Sequence, residues 1–214
     1  MTSDPSNWRL YVATCAELGH SHCEGARAAL AGGAQVIQLR DKGASGAELF
    51  ELACTLRELC QPYDAALVVN DRVDVALAAG AHGVHVGQAD LPATETRRLV
   101  GADVILGVSA TTLAEALTAE AQGADYIGFG PVFDARTTKP DAAEPAGLEG
   151  LAEACMRCRV PIIAIGGINP ANAAAVMAAG ATGIAVISAV VGQDDPETAT
   201  RALIRIVAPS TTSP

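Results

Sequence analysis

Four times along the chain a glycine-ended stretch feeds an apolar, β-branched run: Ala31-Gly-Gly-Ala-Gln-Val-Ile-Gln-Leu, Ala79-Gly-Ala-His-Gly-Val-His-Val, Ala121-Gln-Gly-Ala-Asp-Tyr-Ile-Gly-Phe and Ala179-Gly-Ala-Thr-Gly-Ile-Ala-Val-Ile. Glycine supplies the left-handed residue that closes a helix, and the run after it suits a strand covered on both faces. The glycines at 33, 80, 123 and 180 leave room between successive echoes for one further strand and two helices. Those strands are visible at 10–14, 67–70, 104–108 and 160–165. Apolar strands then alternate with stretches of helical period, such as 47–60, 113–122 and 172–179. The expected fold class is α/β, a single (β/α)8 TIM barrel: the strand count closes a barrel, and the echo returns on every second strand. An open doubly wound sheet shows the same alternation and is the rival.

At 214 residues the chain is near the lower size limit for such a barrel, and no Pro/Ser-rich linker divides it. We therefore read 1–214 as one domain, structured over about 9–207, with flexible tails at 1–7 and 209–214. A hydrophobic content of 50% with only 3% aromatics implies a core of aliphatic and alanine side chains. The opening Met-Thr-Ser-Asp-Pro-Ser-Asn-Trp has no basic region followed by an apolar one, and no apolar run is long enough to span a bilayer. Six cysteines are too sparse for a disulfide scaffold and fit a reducing compartment, so a cytoplasmic location is expected. Cys155-Met-Arg-Cys158 has redox or zinc spacing but lies in a helical stretch without a second Cys or His pair, which leaves ordinary thiols. A formal charge of −10 with no basic stripe argues against nucleic-acid binding. Anionic ligands must be met by a local cationic site.

Such a site is visible. The chain has only two lysines, Lys42 and Lys139, and each sits just beyond an expected strand. A compact ammonium on a flexible stem suits phosphate oxygens. In Gln38-Leu-Arg40-Asp-Lys42, strand alternation puts Gln38, Arg40 and Lys42 on one side, three donors converging on a polyanionic group. The next two strands end in Asn70-Asp71 and lead into Gln88-Ala-Asp90, which offer an amide and two carboxylates suited to Mg²⁺. Helix capping is the competing role for both aspartates. His82 and His85 lie three apart on a strand and face opposite ways, so packed barrel histidines are expected rather than metal ligands. Neither His20 nor His22 carries a usable signal. Ser109 could donate to a phosphate or cap the next helix, with Thr111 and Thr112 as competitors for the cap. The irregular segment from Gly130 to Lys139 reads as a mobile lid over the barrel mouth. Gly166-Gly167 and the segment Ile187-Ser188, followed by an expected short helix, suit a phosphate monoester held by backbone amides. No nucleophile and base couple is evident, so positioning and charge must carry the chemistry.

With these residues in this order, nearly the whole chain resembles the thiamine phosphate synthase family: Gln-Leu-Arg-Asp-Lys, Asn-Asp, Gly-Gln-x-Asp, Gly-Val-Ser, Thr-Lys, Ile-Gly-Gly-Ile and Ile-Ser. That resemblance implies a transferase that joins a hydroxymethylpyrimidine diphosphate to a thiazole phosphate and releases pyrophosphate. By it, Gln38, Arg40, Lys42, Asn70, Ser109 and Lys139 would hold the diphosphate substrate, with Arg40, Lys42, Ser109 and Lys139 as the catalytic set. Asp71 and Asp90 would bind Mg²⁺, and Thr138, Gly167, Ile187 and Ser188 the thiazole phosphate. The loop is one residue longer than the family's Phe-Pro-Thr-x-Thr-Lys, which puts Arg136 or Thr137 at the first Thr, and Cys15 stands where the family commonly has Asp. A thiazole tautomerase and a noncatalytic phosphate-metabolite-binding barrel are the alternatives. Phosphorylated small molecules are the expected partners, with homo-oligomerisation left open.

Overall fold

The protein is described here from a computed structural model covering residues 4–135 and 144–208. Eight parallel strands close on themselves in sequence order: β1 (Leu10–Ala13), β2 (Val36–Leu39), β3 (Ala66–Asn70), β4 (Gly83–Val86), β5 (Ile105–Ala110), β6 (Tyr126–Phe129), β7 (Ile162–Ile165) and β8 (Gly183–Val186), with β1 paired to β8. Each strand is followed by a helix: α1 (His22–Ala31), α2 (Gly46–Cys60), α3 (Val73–Ala78), α4 (Ala93–Val100), α5 (Leu113–Ala121), α6 (Gly147–Arg157), α7 (Ala173–Ala178) and α8 (Pro196–Val207). The closed barrel therefore prevails over the open sheet.

Local chemistry explains where the helices start and stop. Ser21 with Glu24 and Ser45 with Glu48 form reciprocal capping boxes at the starts of α1 and α2, each contributing about 1 kcal/mol. Thr112 accepts from the Glu115 amide at the start of α5. The four echo glycines all take left-handed backbone, with φ of +102° at Gly33, +61° at Gly80, +92° at Gly123 and +101° at Gly180. A side chain at any of them would force a conformation costing roughly 1–2 kcal/mol.

Strand alternation divides the core in two. Leu10, Val12, Ile37, Leu39, Leu67, Val84 and Ile127 face out against the helices. Trp8, Tyr11, Val36, Ala66, Val68, Ile105, Tyr126, Ile163 and Ala185 fill the barrel itself. Few as the aromatics are, three of the largest collect inside: Trp8 meets Tyr11 and Tyr126 edge-on at centroid distances of 5.9 and 5.1 Å.

Two strand boundaries differ from expectation. β5 runs on to Ala110, which keeps Ser109 in the ladder, paired in register with Gly128. β7 begins only at Ile162, because Pro161 has no N–H to give the ladder. At the N-terminus, residues 5–7 form a 3₁₀ turn capped by Asp4, with Pro5 buried, where a flexible tail was expected. Among the described residues no helix is long and apolar enough to cross a membrane.

Candidate active site

In a parallel barrel the strand ends and following loops make one rim, and the polar residues gather there. On β2, Gln38 points inward, 7% exposed, and its amide nitrogen donates to the Tyr11 hydroxyl at 2.8 Å. Arg40 and Lys42 follow just beyond the end of β2, and the charges of both favour the ionised form of the Asp71 carboxyl. Asp41 between them is tied elsewhere. Its Oδ1 accepts from the amides of Gly43 at 2.8 Å and Ala44 at 3.1 Å, and its Oδ2 lies 3.2 Å from His22 Nε2. These hydrogen bonds, the Gly43 amide foremost, hold its pKa below the usual carboxylate range. His22 Nδ1 in turn lies 2.6 Å from the buried Thr14 hydroxyl. The loop that carries Arg40 and Lys42 is thus pinned to β1 and α1 through Asp41.

Among the described residues, Asp71 is one of two non-glycine residues with positive φ, at +63°. Such a conformation costs roughly 1–2 kcal/mol. It is held by its own N–H to the His85 carbonyl at 2.8 Å and by Arg72 N–H to the Asn70 carbonyl at 2.7 Å. The start of α3 falls at Arg72, so Asp71 is not its cap. Nor does Asp90 cap α4, which starts from Pro92; its Oδ2 accepts from the Gly87 amide at 2.8 Å. Neither carboxyl is used as a cap, and burial together with the nearby Asp90 carboxyl pushes the Asp71 pKa up to about 6. Two carboxylates this close need a proton or a cation between them. Asn70 ends β3 alongside, in register with His85.

His85 is packed inside the barrel as expected, and both of its ring nitrogens have hydrogen-bond partners there. Its Nδ1 is 2.9 Å from the Tyr126 hydroxyl and its Nε2 2.8 Å from Ser109 Oγ. His82 is exposed rather than packed, and its Nδ1 accepts from the Leu67 amide at 3.0 Å. Because Thr112 takes the α5 cap, Ser109 is left for the site. Gln88 donates to the Ser109 carbonyl at 2.6 Å, tying the Asp90 loop to β5.

Across the barrel, Gly166 and Gly167 have φ of +99° and +65°. A Cβ on Gly167 would fall 2.6 Å from the Asp134 carbonyl oxygen, and one on Gly166 would fall 2.5 Å from Pro131. The loops after β6 and β7 are joined by Val132 N–H to the Ile165 carbonyl at 2.9 Å and Phe133 N–H to the Gly166 carbonyl at 3.0 Å. After β8, Ile187 and Ser188 open a single hydrogen-bonded turn, with Val190 and Val191 amides on the Ile187 carbonyl at 3.0 and 2.9 Å. The short helix expected there is this one turn, and the next regular helix begins at Pro196. Arg136, Thr137, Thr138 and Lys139, the last four residues of the expected lid, lie outside the described residues.

The family profile described as thiamine monophosphate synthase matches residues 10–190. The chain belongs to that family. It is 56% identical over 203 residues to the thiamine-phosphate synthase of Chloroflexus aurantiacus, covering 94% of this chain and 93% of the relative. It is 51% identical over 202 residues to that of Moorella thermoacetica, covering 94% and 96%. A solved thiamine phosphate pyrophosphorylase from Pyrococcus furiosus superposes with a TM-score of 0.89 at 44% identity, covering 95% of this chain and 96% of that one. Solved 3-hexulose-6-phosphate synthase, at 22% identity and a TM-score of 0.70, shares the barrel fold.

Within this thiamine monophosphate synthase fold the rim brings together Gln38, Arg40, Lys42, Asn70, Asp71, Asp90 and Ser109, which sequence reasoning had proposed for one half of the site. It missed Tyr11, Tyr126, His85 and His22. The usable signal was the scarcity of aromatics: with three tyrosines and one tryptophan in the chain, any on a strand face toward the barrel axis stand out.

Proposed function

We propose that this family member joins an aminopyrimidine methyl diphosphate to a thiazole phosphate, giving thiamine phosphate and pyrophosphate. What carries the reading is the pair of carboxyls, Asp71 and Asp90, just beyond the ends of the adjacent strands β3 and β4, with Arg40 and Lys42 acting on Asp71. Among the described residues no group of three or more His, Cys, Asp or Glu side chains could hold a metal. Two carboxylate oxygens with phosphate and water completing the shell is the way Mg²⁺ is ordinarily held, so the donor set fits that ion. When bound there, Mg²⁺ would neutralise charge on the departing diphosphate.

The chain's own residues supply the rest. Arg40 and Lys42 face the carboxylate pair, and with Lys139 would stabilise the negative charge that grows on pyrophosphate as its oxygen leaves the pyrimidine methylene with the bonding electron pair. Gln38 and Asn70 orient the ring, and Ser109 donates to a phosphate oxygen. The amino-substituted ring carries the positive charge left on the methylene, and the thiazole nitrogen donates its lone pair to form the new C–N bond. No proton leaves a reacting atom in that step, so no protein base is required. Gly167 and the turn at Ile187 and Ser188, with Thr138 and Arg136 or Thr137 from the adjoining loop, would hold the thiazole phosphate. Six free thiols agree with a cytoplasmic setting.

Incubating the protein with both substrates and Mg²⁺ should yield thiamine phosphate and pyrophosphate in equal amounts. Conversion of the thiazole phosphate alone would mark a tautomerase, and binding without turnover a noncatalytic barrel; either result overturns the reading.

A further inference from the structure

Five side chains cross the inside of the barrel in one hydrogen-bonded file: Gln38 on β2, Tyr11 on β1, Tyr126 on β6, His85 on β4 and Ser109 on β5. Gln38 Nε2 donates to Tyr11 at 2.8 Å, and the two phenol oxygens are 3.1 Å apart. Tyr126 Oη is 2.9 Å from His85 Nδ1, and His85 Nε2 is 2.8 Å from Ser109 Oγ. The strands leave room for the file. Gly107 stands between His85 and Tyr126 in the ladder, where a Cβ would fall 2.3 Å from the phenol oxygen and 2.5 Å from Nδ1. A Cβ on Gly128 would fall 2.9 Å from the His85 ring. Trp8 packs edge-on against both tyrosines and holds them in place.

Counting protons fixes the direction of every bond. All three rings lie inside the barrel with no charged group in the file, and burial disfavours a charge, so each phenol and the imidazole are neutral and carry one acidic proton. Gln38 N–H donates to Tyr11, so the Tyr11 proton goes to Tyr126 and the Tyr126 proton to Nδ1. The imidazole proton is then on Nε2 and is donated to Ser109. The Ser109 hydrogen is the one left over, free to point into the mouth. Turning the Gln38 amide over reverses the whole file: Ser109 would donate to Nε2 and show the mouth only lone pairs, which repel a phosphate.

We propose that Tyr11, Tyr126 and His85 are positioning residues that couple recognition of the substrate ring to recognition of its diphosphate. A hydrogen-bond donor on the ring, such as an exocyclic amine, holds the Gln38 amide with its oxygen toward the mouth, and that orientation sets Ser109 as a donor to phosphate. A ring with an oxo group in the same place selects the opposite orientation and turns Ser109 into an acceptor. The inference rests on the proposed assignment of Gln38 and Ser109 to the pyrimidine diphosphate.

Nitrogen-15 NMR of the histidines in the ligand-free protein, with the His85 signals assigned by their loss in His85→Asn, tests the file without any turnover. The expected result is one neutral tautomer protonated at Nε2, replaced in Gln38→Leu by a mixture or by the Nδ1 form. A wild-type ring protonated at Nδ1 or at both nitrogens, or a tautomer unchanged in Gln38→Leu, overturns the proposal. The kinetic arm compares Gln38→Ala and Ser109→Ala, singly and together, on kcat/KM for the pyrimidine diphosphate, in enzyme with Tyr126 and with Tyr126→Phe. Non-multiplicative effects of about fivefold or more with tyrosine, multiplicative to within about twofold with phenylalanine, are expected. Coupling that survives in the phenylalanine enzyme, or is absent with tyrosine, overturns the proposal. Should Tyr126→Phe fail to fold by circular dichroism, Tyr11→Phe cuts the same file one bond earlier. If the wild-type enzyme makes no thiamine phosphate, the proposed function fails while the tautomer measurement still decides the file.

Discussion

From β2 to β4 the barrel mouth carries charged side chains, Arg40, Lys42, Asp71 and Asp90, whereas at the ends of β7 and β8 the segments 165–169 and 187–191 contain no charged residue at all. The first half is held in tension. Asp71 sits in left-handed backbone, its carboxyl pushed up by burial and by Asp90 and drawn down by Lys42 and Arg40. The second half is quiet, built from left-handed glycines and a single turn after β8. In the proposed reaction the departing diphosphate, whose charge grows, would meet the first kind of surface, where fixed cations answer that charge. A phosphate that merely anchors its molecule is served by the second.

Single substitutions should pull the halves apart. Asp71→Ala should lower kcat by about 100-fold or more, the scale of losing a major electrostatic stabiliser. Near-normal turnover in a steady-state assay would remove Asp71 from the metal site. Gly167→Ala should raise KM for the thiazole phosphate by roughly tenfold, because its Cβ would press on the Asp134 carbonyl, while KM for the pyrimidine diphosphate moves little. Equal rises in both values would mean that the halves are not separate. Asp41→Ala should cost about fivefold in kcat/KM for the diphosphate by loosening the Arg40 and Lys42 loop, within the range for losing a buried or charged hydrogen-bond partner. No change would show that the loop holds itself.

The smallest effect is on titration. In metal-free protein the Asp71 carboxyl should titrate near 6, and Asp90→Asn should bring that value part of the way down, leaving the contribution of burial. Because this folded pKa lies above the ordinary value of 3.8, the group's contribution to stability is fully present below about 3.8 and is lost as pH rises through about 6. Thermal melts of the metal-free wild type should therefore fall relative to Asp71→Asn across that window. Parallel melting curves would refute the raised Asp71 pKa.

How far the sequence could be read follows from the same division. The four echo glycines announced the helix ends because left-handed backbone almost demands that residue, and the structure gives all four positive φ. Gln38 was legible because alternation along one strand is local geometry, and Arg40 and Lys42 because they follow directly beyond its end. The carboxyl pair was legible beyond the ends of adjacent strands, but the raised Asp71 pKa was not, since it depends on how far that carboxyl is buried. The file from Gln38 to Ser109 escaped notice for a related reason. It joins five strands across the barrel axis, and what makes room for it is the missing Cβ at Gly107 and Gly128, which in sequence look like any other strand glycines.

The helix-closing glycines have one more implication. Helices return the chain to the starts of the strands, so Gly33, Gly80, Gly123 and Gly180 lie at the floor of the barrel, away from the catalytic rim. Heat resistance can therefore be tuned at the floor and substrate preference at the rim by separate substitutions, and a lineage can change one without disturbing the other.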